Sequence, residues 1–146
     1  MPSTRARRSC LSVPGSSPKM LSKAPGLPAD QIFMDLEDSV APLAKADARG
    51  NVIDALKNND WGDKTVVVRI NSIDTQWAAD DLKTVVEAAG QYIDCIMVPK
   101  VQHAHEVMFV DHLLRMIETN TDLDKRIGLE LQIETATGLR NVHEIA

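Results

Sequence analysis

Charged side chains follow several apolar runs of this 146-residue chain, at the point where each run ends. Asp35-Leu36-Glu37-Asp38 closes one run, Arg69 a second, Pro99-Lys100 a third and Glu134 a fourth. Carboxylate oxygens are the ligands that Mg²⁺ prefers, and an arginine can grip a carboxylate through two hydrogen bonds. If the runs are parallel strands, their ends meet at one edge and form a site for a divalent cation and an anionic substrate.

A structural explanation competes with this one. Charges at strand ends often form ion pairs that only stabilise the fold, and Arg69 with Asp35 or Glu37 would be such a pair. Taken singly, each residue fits either explanation about equally well. The clustering of so many charges at one edge favours a functional site, because active sites gather interacting titratable groups.

Five apolar runs have the length of strands: 10–13, 31–36, 65–70, 93–98 and 127–133. The middle three are rich in Ile, Val and Met without strict alternation, which is typical of parallel strands buried on both faces. Helical periodicity lies between the runs, at 43–58, 77–89 and 104–118. We expect a final helix from about Gly138, with Thr137 as its N-cap, and a pair of helix-start charges at Asp80 and Asp81.

The alternation of strands and helices predicts an α/β fold with a parallel sheet and crossover helices. Two closures remain open, a doubly wound sheet or part of a (β/α)₈ barrel. A complete barrel needs about 250 residues, so the length of this chain, with about five units in a single domain, rules out a complete barrel.

Composition and charge exclude several classes of protein. Sixteen Lys and Arg against 21 Asp and Glu give a net charge of −5, which argues against sequence-independent binding of nucleic acid. No apolar run approaches the ~20 residues that span a bilayer, so no membrane association is expected. Cys10 and Cys95 both lie in apolar runs, so we expect two buried free thiols. Because the basic start has no apolar segment after it, it is not a secretory signal, and a cytoplasmic protein is expected.

Several motifs resemble the HpcH/HpaI aldolase family, which includes citrate lyase β-subunits and malyl-CoA lyases. They are Leu11–Gly15, Asp35–Val40, Val68–Asn71, Val98–Lys100 and Ile133–Thr135. The stretches Asp60-Trp61-Gly62 and Asp74-Thr75 are most similar to the malyl-CoA/β-methylmalyl-CoA lyase branch. The resemblance covers nearly the whole chain but only about the first half of a family member.

The resemblance implies the N-terminal portion of a (β/α)₈ TIM barrel, about five units long and ending before the sixth strand. It implies a Mg²⁺-dependent carbon–carbon lyase that reversibly cleaves malyl-CoA or β-methylmalyl-CoA. The products would be the 2-keto acid glyoxylate and acetyl-CoA or propionyl-CoA. It also implies a homo-oligomer in the full-length form.

The resemblance assigns site residues by motif. Arg69 would stabilise the enolate or aldehyde oxygen, and Glu37 and Asp38 would lie near the metal or orient Arg69. Glu134 would be a Mg²⁺ ligand, and the neighbouring backbone at Ile133 would face the substrate. Two further residues, Lys23 and Ser17, would bind the coenzyme A thioester. Malyl-CoA lyases tend to carry Arg at the position of Ser17.

Three alternatives stay open at this stage. The chain could be an inactive fragment, because the family's second metal ligand is an Asp on the strand that follows Glu134. It could instead be a CoA-binding half-barrel that needs a partner chain. The reaction could also differ, as malyl-CoA thioester hydrolysis or citramalyl-CoA cleavage.

Overall fold

The computed structural model describes residues 5–146, which form five strands and six α-helices. The strands are β1 (Cys10–Pro14), β2 (Gln31–Asp35), β3 (Thr65–Arg69), β4 (Cys95–Val98) and β5 (Gly128–Leu131). The helices are α1 (Pro18–Lys23), α2 (Lys45–Asn58), α3 (Ala78–Ala89), α4 (Ala104–Asn120), α5 (Ala136–Arg140) and α6 (Val142–Ile145).

The five strands form one parallel sheet in the order β1-β2-β3-β4-β5. The register places Pro14 beside Asp35 and Asp35 beside Arg69, so the carboxyl ends of the first three strands are level. Leu131 lies beside Val98 at the other side of the sheet. The residues that follow these strands therefore meet at one edge, as predicted.

The strand order decides between the two closures. A doubly wound sheet reverses its strand order at a switch point, whereas a barrel adds each strand next to the previous one. Here the order is sequential throughout, and α2 packs against α3 and α3 against α4. The chain therefore has a half-barrel-like α/β fold, which confirms the prediction of part of a (β/α)₈ barrel.

Alternation along the strands divides their side chains between two faces. One set, which includes Ile32, Val66 and Ile96, joins the large core that the helices cover. The alternate set forms a separate small cluster of Phe33, Val67, Cys95 and Met97. Asp35 and Arg69 share the parity of this second set, so they belong to the face that forms the inside of a barrel.

The last helix begins earlier than predicted. Its N-cap is Thr135, whose Oγ1 accepts a hydrogen bond from the Gly138 N–H at 2.9 Å, so the prediction of Thr137 was wrong. Thr135 has the extended backbone that an N-cap needs and sits three residues before Gly138. The helical segment also divides at Asn141 into α5 and α6.

The two cysteines differ in exposure. Cys95 is buried on β4, as predicted, but Cys10 is exposed, so the prediction of two buried thiols was wrong for Cys10. Cys10 opens β1, which pairs only with β2 within residues 5–146 and so leaves one side of the strand uncovered. Over the same residues, every helix is too short or too polar to cross a membrane.

Candidate active site

Arg69 and Asp35 form a buried, bidentate ion pair at the ends of β3 and β2. Arg69 Nε donates to Asp35 Oδ1 and Nη2 donates to Oδ2, both at 2.8 Å. Burial alone would raise the pKa of Asp35. Hydrogen bonds from Arg69, from Ser39 and from the main-chain N–H of Glu37 lower it instead, to about 2. Asp35 is therefore ionised throughout the physiological range and fixes the plane of the guanidinium.

The remaining edge of the Arg69 guanidinium faces other polar groups. Its Nη1 donates to Gln132 Oε1 at 3.2 Å and lies 3.5 Å from Glu37 Oε2. The ring of Phe33 lies 5.2 Å from the guanidinium carbon. Burial lowers the pKa of Arg69, but the hydrogen bonds to Asp35 outweigh it and leave that pKa raised, so Arg69 stays charged.

Glu37 and Asp38 share one cation. Lys100 Nζ lies 2.6 Å from Glu37 Oε1 and 3.0 Å from Asp38 Oδ1. Burial raises the pKa of Glu37, and the hydrogen bond from Lys100 only partly opposes this effect. Hydrogen bonds to the two carboxylates raise the pKa of Lys100. Glu37 Oε2 is buried and accepts no hydrogen bond within the described part of the chain.

Glu134 joins this group through the main chain of Lys100. Glu134 Oε1 accepts a hydrogen bond from the Lys100 N–H at 2.9 Å, while its side chain remains at the surface. Lys100 has a φ of 53°, in the left-handed region that residues other than glycine rarely adopt. One residue thus contacts three carboxylates from two different strand ends.

The loop after β2 is held by buried side chains beneath the site. Lys45 Nζ donates to the carbonyl oxygens of Leu36 and Glu37, at 2.7 and 2.6 Å. Asn71 Nδ2 donates to the same Leu36 carbonyl at 2.9 Å. Burial lowers the pKa of Lys45. These bonds fix the backbone that carries Glu37 and Asp38.

Asp81 anchors the neighbouring loop after β3. It is fully buried, and its Oδ2 accepts bonds from the Asn71 N–H at 2.8 Å and from Asn71 Nδ2 at 2.6 Å. Its Oδ1 accepts from Arg49 Nε at 2.7 Å. Asp81 lies in the first turn of α3 with Asp80, as predicted, and it also holds this loop, because a buried carboxylate needs such partners. Asp80, its neighbour in sequence, is exposed.

A cleft of about 400 Å³ opens next to these loops. It lies between the ends of β2, β3 and β4, and its polar lining includes Glu37, Lys45, Asn71 and Lys100. The indole of Trp77 contributes an aromatic wall, with Lys45 Nζ 5.4 Å from its ring centre. The cleft has room for a small polar group beside the carboxylates.

The structure brings together most of the residues that the sequence singled out. Arg69, Glu37, Asp38 and Glu134 form one connected group through direct contacts and Lys100. Ile133 is half-buried and adjacent to Glu134 in the chain.

Ser17 and Lys23 lie apart from that group, on α1. Ser17 is the N-cap of this helix and its Oγ accepts from the Met20 N–H at 3.4 Å. Lys23 lies in the last turn and is exposed. Within the described residues, neither side chain bonds to the connected group.

Sequence reasoning undervalued two residues, Asp35 and Lys100. The sequence places both residues among the strand-end charges and offers Asp35 as a partner of Arg69, but it assigns neither of them a role in binding or catalysis. Strand parity could have identified Asp35, because it precedes the loop directly and lies on the same face as Arg69 in the register. The role of Lys100 depends on a backbone conformation that residue patterns do not predict.

The charges of the site fit a divalent cation. The side chains of the site carry a net charge of −1. The four carboxylates are Asp35, Glu37, Asp38 and Glu134, and the three cationic side chains are Lys45, Arg69 and Lys100. Residues 5–146 contain no group of three or more Asp, Glu, His or Cys side chains that is close enough together to hold a metal ion. Within residues 5–146, one oxygen of Glu134 makes no hydrogen bond, and Glu37 Oε2 accepts none although it lies 3.5 Å from Arg69 Nη1. This set suits Mg²⁺, which is commonly bound through one or two carboxylates and retains several waters.

Comparison with known proteins identifies relatives over almost the whole chain. A family model described as HpcH/HpaI aldolase/citrate lyase matches residues 8–146. The L-malyl-CoA/β-methylmalyl-CoA lyase of Cereibacter sphaeroides is 44% identical over 145 residues, covering 99% of this chain and 46% of that protein. The (3S)-malyl-CoA thioesterase of Cereibacter sphaeroides is 40% identical over 139 residues, covering 95% of this chain and 44% of that protein.

A solved structure of similar fold contains magnesium. The citrate lyase beta subunit of M. tuberculosis, complexed with oxaloacetate and magnesium, matches with a TM-score of 0.70 and 29% identity. The match covers 95% of this chain and 54% of that one. The chain thus spans about half the length of the curated relatives it matches.

Proposed function

Because the chain belongs to the HpcH/HpaI aldolase/citrate lyase family, we propose that it carries the N-terminal half of the active site of a Mg²⁺-dependent carbon–carbon lyase. Residues 1–146 form a single, incomplete barrel domain in this proposal. The reaction is the reversible cleavage of malyl-CoA or β-methylmalyl-CoA to glyoxylate and acetyl-CoA or propionyl-CoA. The observation that carries the proposal is the Arg69–Asp35 pair next to a connected group of carboxylates.

Arg69 is the residue that meets the reacting oxygen. Once the 3-hydroxyl group of a 3-hydroxyacyl-CoA has lost its proton to a base, cleavage of the carbon–carbon bond turns the alkoxide into the aldehyde of glyoxylate and moves its negative charge to the thioester enolate. A guanidinium that is already fixed can stabilise this charge without reorganising. Asp35 supplies that fixation through its two hydrogen bonds, and Nη1 remains on the side of Glu37 and Gln132.

Glu134 would hold the metal ion through the oxygen that the Lys100 N–H does not use. Bound Mg²⁺ would act as a Lewis acid and as a template that orients a 2-keto acid. Glu37 and Asp38 would place negative charge near the metal ion. Glu37 would also help to orient Arg69. The main chain at Ile133 would border the substrate.

The coenzyme A part of the substrate is assigned to α1. Lys23 would contact its phosphates as a point charge, and Ser17 would offer the hydroxyl at the start of the helix. Both side chains follow β1 at the same edge of the sheet as Arg69. Replacing Lys23 with Met should therefore weaken binding of the CoA thioester without slowing the bond cleavage itself.

A chimeric enzyme tests the proposal. In it, this chain replaces the segment of the Cereibacter sphaeroides lyase that it matches, so that the relative supplies the remainder. We expect Mg²⁺-dependent release of glyoxylate from malyl-CoA by the chimera and almost none by the 146-residue chain alone. A folded chimera that releases no glyoxylate, with or without Mg²⁺, would contradict the proposal.

Thioester hydrolysis is the second candidate, because one relative at 40% identity is named a malyl-CoA thioesterase. The products distinguish the two reactions. Cleavage yields glyoxylate and acetyl-CoA, whereas hydrolysis yields malate and free coenzyme A, whose thiol is detected directly. Free thiol without glyoxylate would favour the thioesterase.

A further inference from the structure

We propose that Lys100 is a positioning residue that determines which carboxylate receives the divalent cation. The inference rests on the proposed function, because it concerns the metal of the same site. The ammonium group of Lys100 forms ion pairs with the carboxylates of Glu37 and Asp38, at 2.6 and 3.0 Å. The main-chain N–H of the same residue orients Glu134 at 2.9 Å and leaves the second oxygen of Glu134 available.

The backbone of Lys100 supports a specific role. A residue other than glycine in the left-handed region is strained and persists only where the surrounding structure holds it. Here the φ of 53° occurs directly after Pro99, at the end of β4. With this backbone, the N–H meets Glu134 on one side while the side chain reaches Glu37 and Asp38 on the other. Lys100 therefore contacts the three carboxylates in two different ways. Its side chain pairs with Glu37 and Asp38, and its main chain binds Glu134.

The balance of charge gives the direction of the effect. Glu37 and Asp38 carry two negative charges that the ammonium of Lys100 partly neutralises. Without that ammonium, the two carboxylates form a stronger site for a divalent cation than the single carboxylate of Glu134. Lys100→Met should therefore bind Mg²⁺ about tenfold more tightly, the order expected when one charge is removed near a divalent ion at a solvated site.

Mg²⁺ titration followed by the ¹³C signals of side-chain carboxylates tests this on the purified chain. In the wild type, the Glu134 carboxylate should shift first. In Lys100→Met, the carboxylates of Glu37 and Asp38 should shift, at about tenfold lower Mg²⁺. Lys83→Met makes the same substitution at an exposed position of α3 and should behave as the wild type.

The outcomes separate the inference from the proposed function. Unchanged affinity, with Glu134 still shifting first in Lys100→Met, would overturn the inference and leave a purely structural ion pair. Failure of Mg²⁺ to shift any of the three carboxylates in the wild type would instead contradict the proposed metal site. Lys100→Arg retains the charge and should restore the wild-type order. Lys100→Gln, neutral but polar, replaces the Met variant if that protein does not fold.

A kinetic readout in the chimera completes the test. Lys100→Met should lower kcat while reducing the Mg²⁺ concentration needed for half-maximal activity. Loss of a merely structural contact would lower stability and leave the Mg²⁺ requirement unchanged. A Mg²⁺ requirement that rises in Lys100→Met would also overturn the inference.

Discussion

Replacing Asp35 with Asn removes the charge that fixes Arg69 and preserves the size of the side chain. The variant keeps one oxygen acceptor but turns the other into a donor that faces the guanidinium. Removing one partner of a buried ion pair costs about 3–5 kcal/mol. Since Arg69 keeps Glu37 at 3.5 Å and remains slightly exposed, we expect the lower end of that range, about 3 kcal/mol at pH 7.

The same variant should change the pH dependence of stability. The pKa of Asp35 is about 2 in the folded chain, against about 3.9 in an unfolded one. A depressed folded pKa stabilises the protein above about pH 4, and this contribution disappears as pH falls toward 2. It amounts to about 2–3 kcal/mol at pH 7 and to roughly half of that at pH 3. The raised pKa of Glu37 acts in the opposite direction, but it is present in both proteins.

Urea unfolding at several pH values measures both effects. The difference in unfolding free energy between wild type and Asp35→Asn should fall by about 1 kcal/mol from pH 7 to pH 3. Asp124→Asn, at an exposed position that makes no side-chain hydrogen bond or ion pair within residues 5–146, should stay within about 0.5 kcal/mol of wild type at both pH values. A difference that is independent of pH, or below about 1 kcal/mol at pH 7, would refute the argument.

Three further predictions concern stability and reactivity. Gly50→Ala should raise the free energy of unfolding by about 0.5–1 kcal/mol in urea titrations, because a Cβ there meets open space within α2; a loss of stability would contradict this. Gly138→Ala should lower it by more than about 2 kcal/mol, since its Cβ would lie 2.2 Å from the Val101 carbonyl oxygen, and a neutral result would show that this contact relaxes. A thiol reagent should label Cys10 in the folded chain, slowly at pH 7 because partial burial raises the pKa of its thiol, and should label Cys95 only after unfolding; equal labelling rates in the folded chain would show that β4 opens.

The sequence predicted the fold well because the strands are short, apolar and separated by clear helical patterns. What it left open was the closure of the sheet, since strand order depends on packing between helices rather than on periodicity. Errors arose at element ends. Thr135 and Thr137 are both acceptable N-caps in sequence, and only the backbone geometry and the Gly138 N–H distinguish them.

The site was predictable as a group of charges but not as a network. Motifs placed Arg69, Glu37, Asp38 and Glu134 at one edge, and the structure connects them. The pairing within that group could not be deduced, because it depends on a left-handed backbone at Lys100. The predicted roles of these residues remain proposals that the experiments above address.

The most direct test of the proposed lyase is the rate of glyoxylate release by the chimera with Arg69 intact and with Arg69→Lys. Lysine keeps the charge but cannot form the two-pronged pair with Asp35, so the guanidinium plane is lost. We predict Mg²⁺-dependent release that falls about 10²- to 10³-fold in kcat for Arg69→Lys, with KM nearly unchanged. Equal rates for the two proteins would contradict the assignment of Arg69 as the group that stabilises the reacting oxygen.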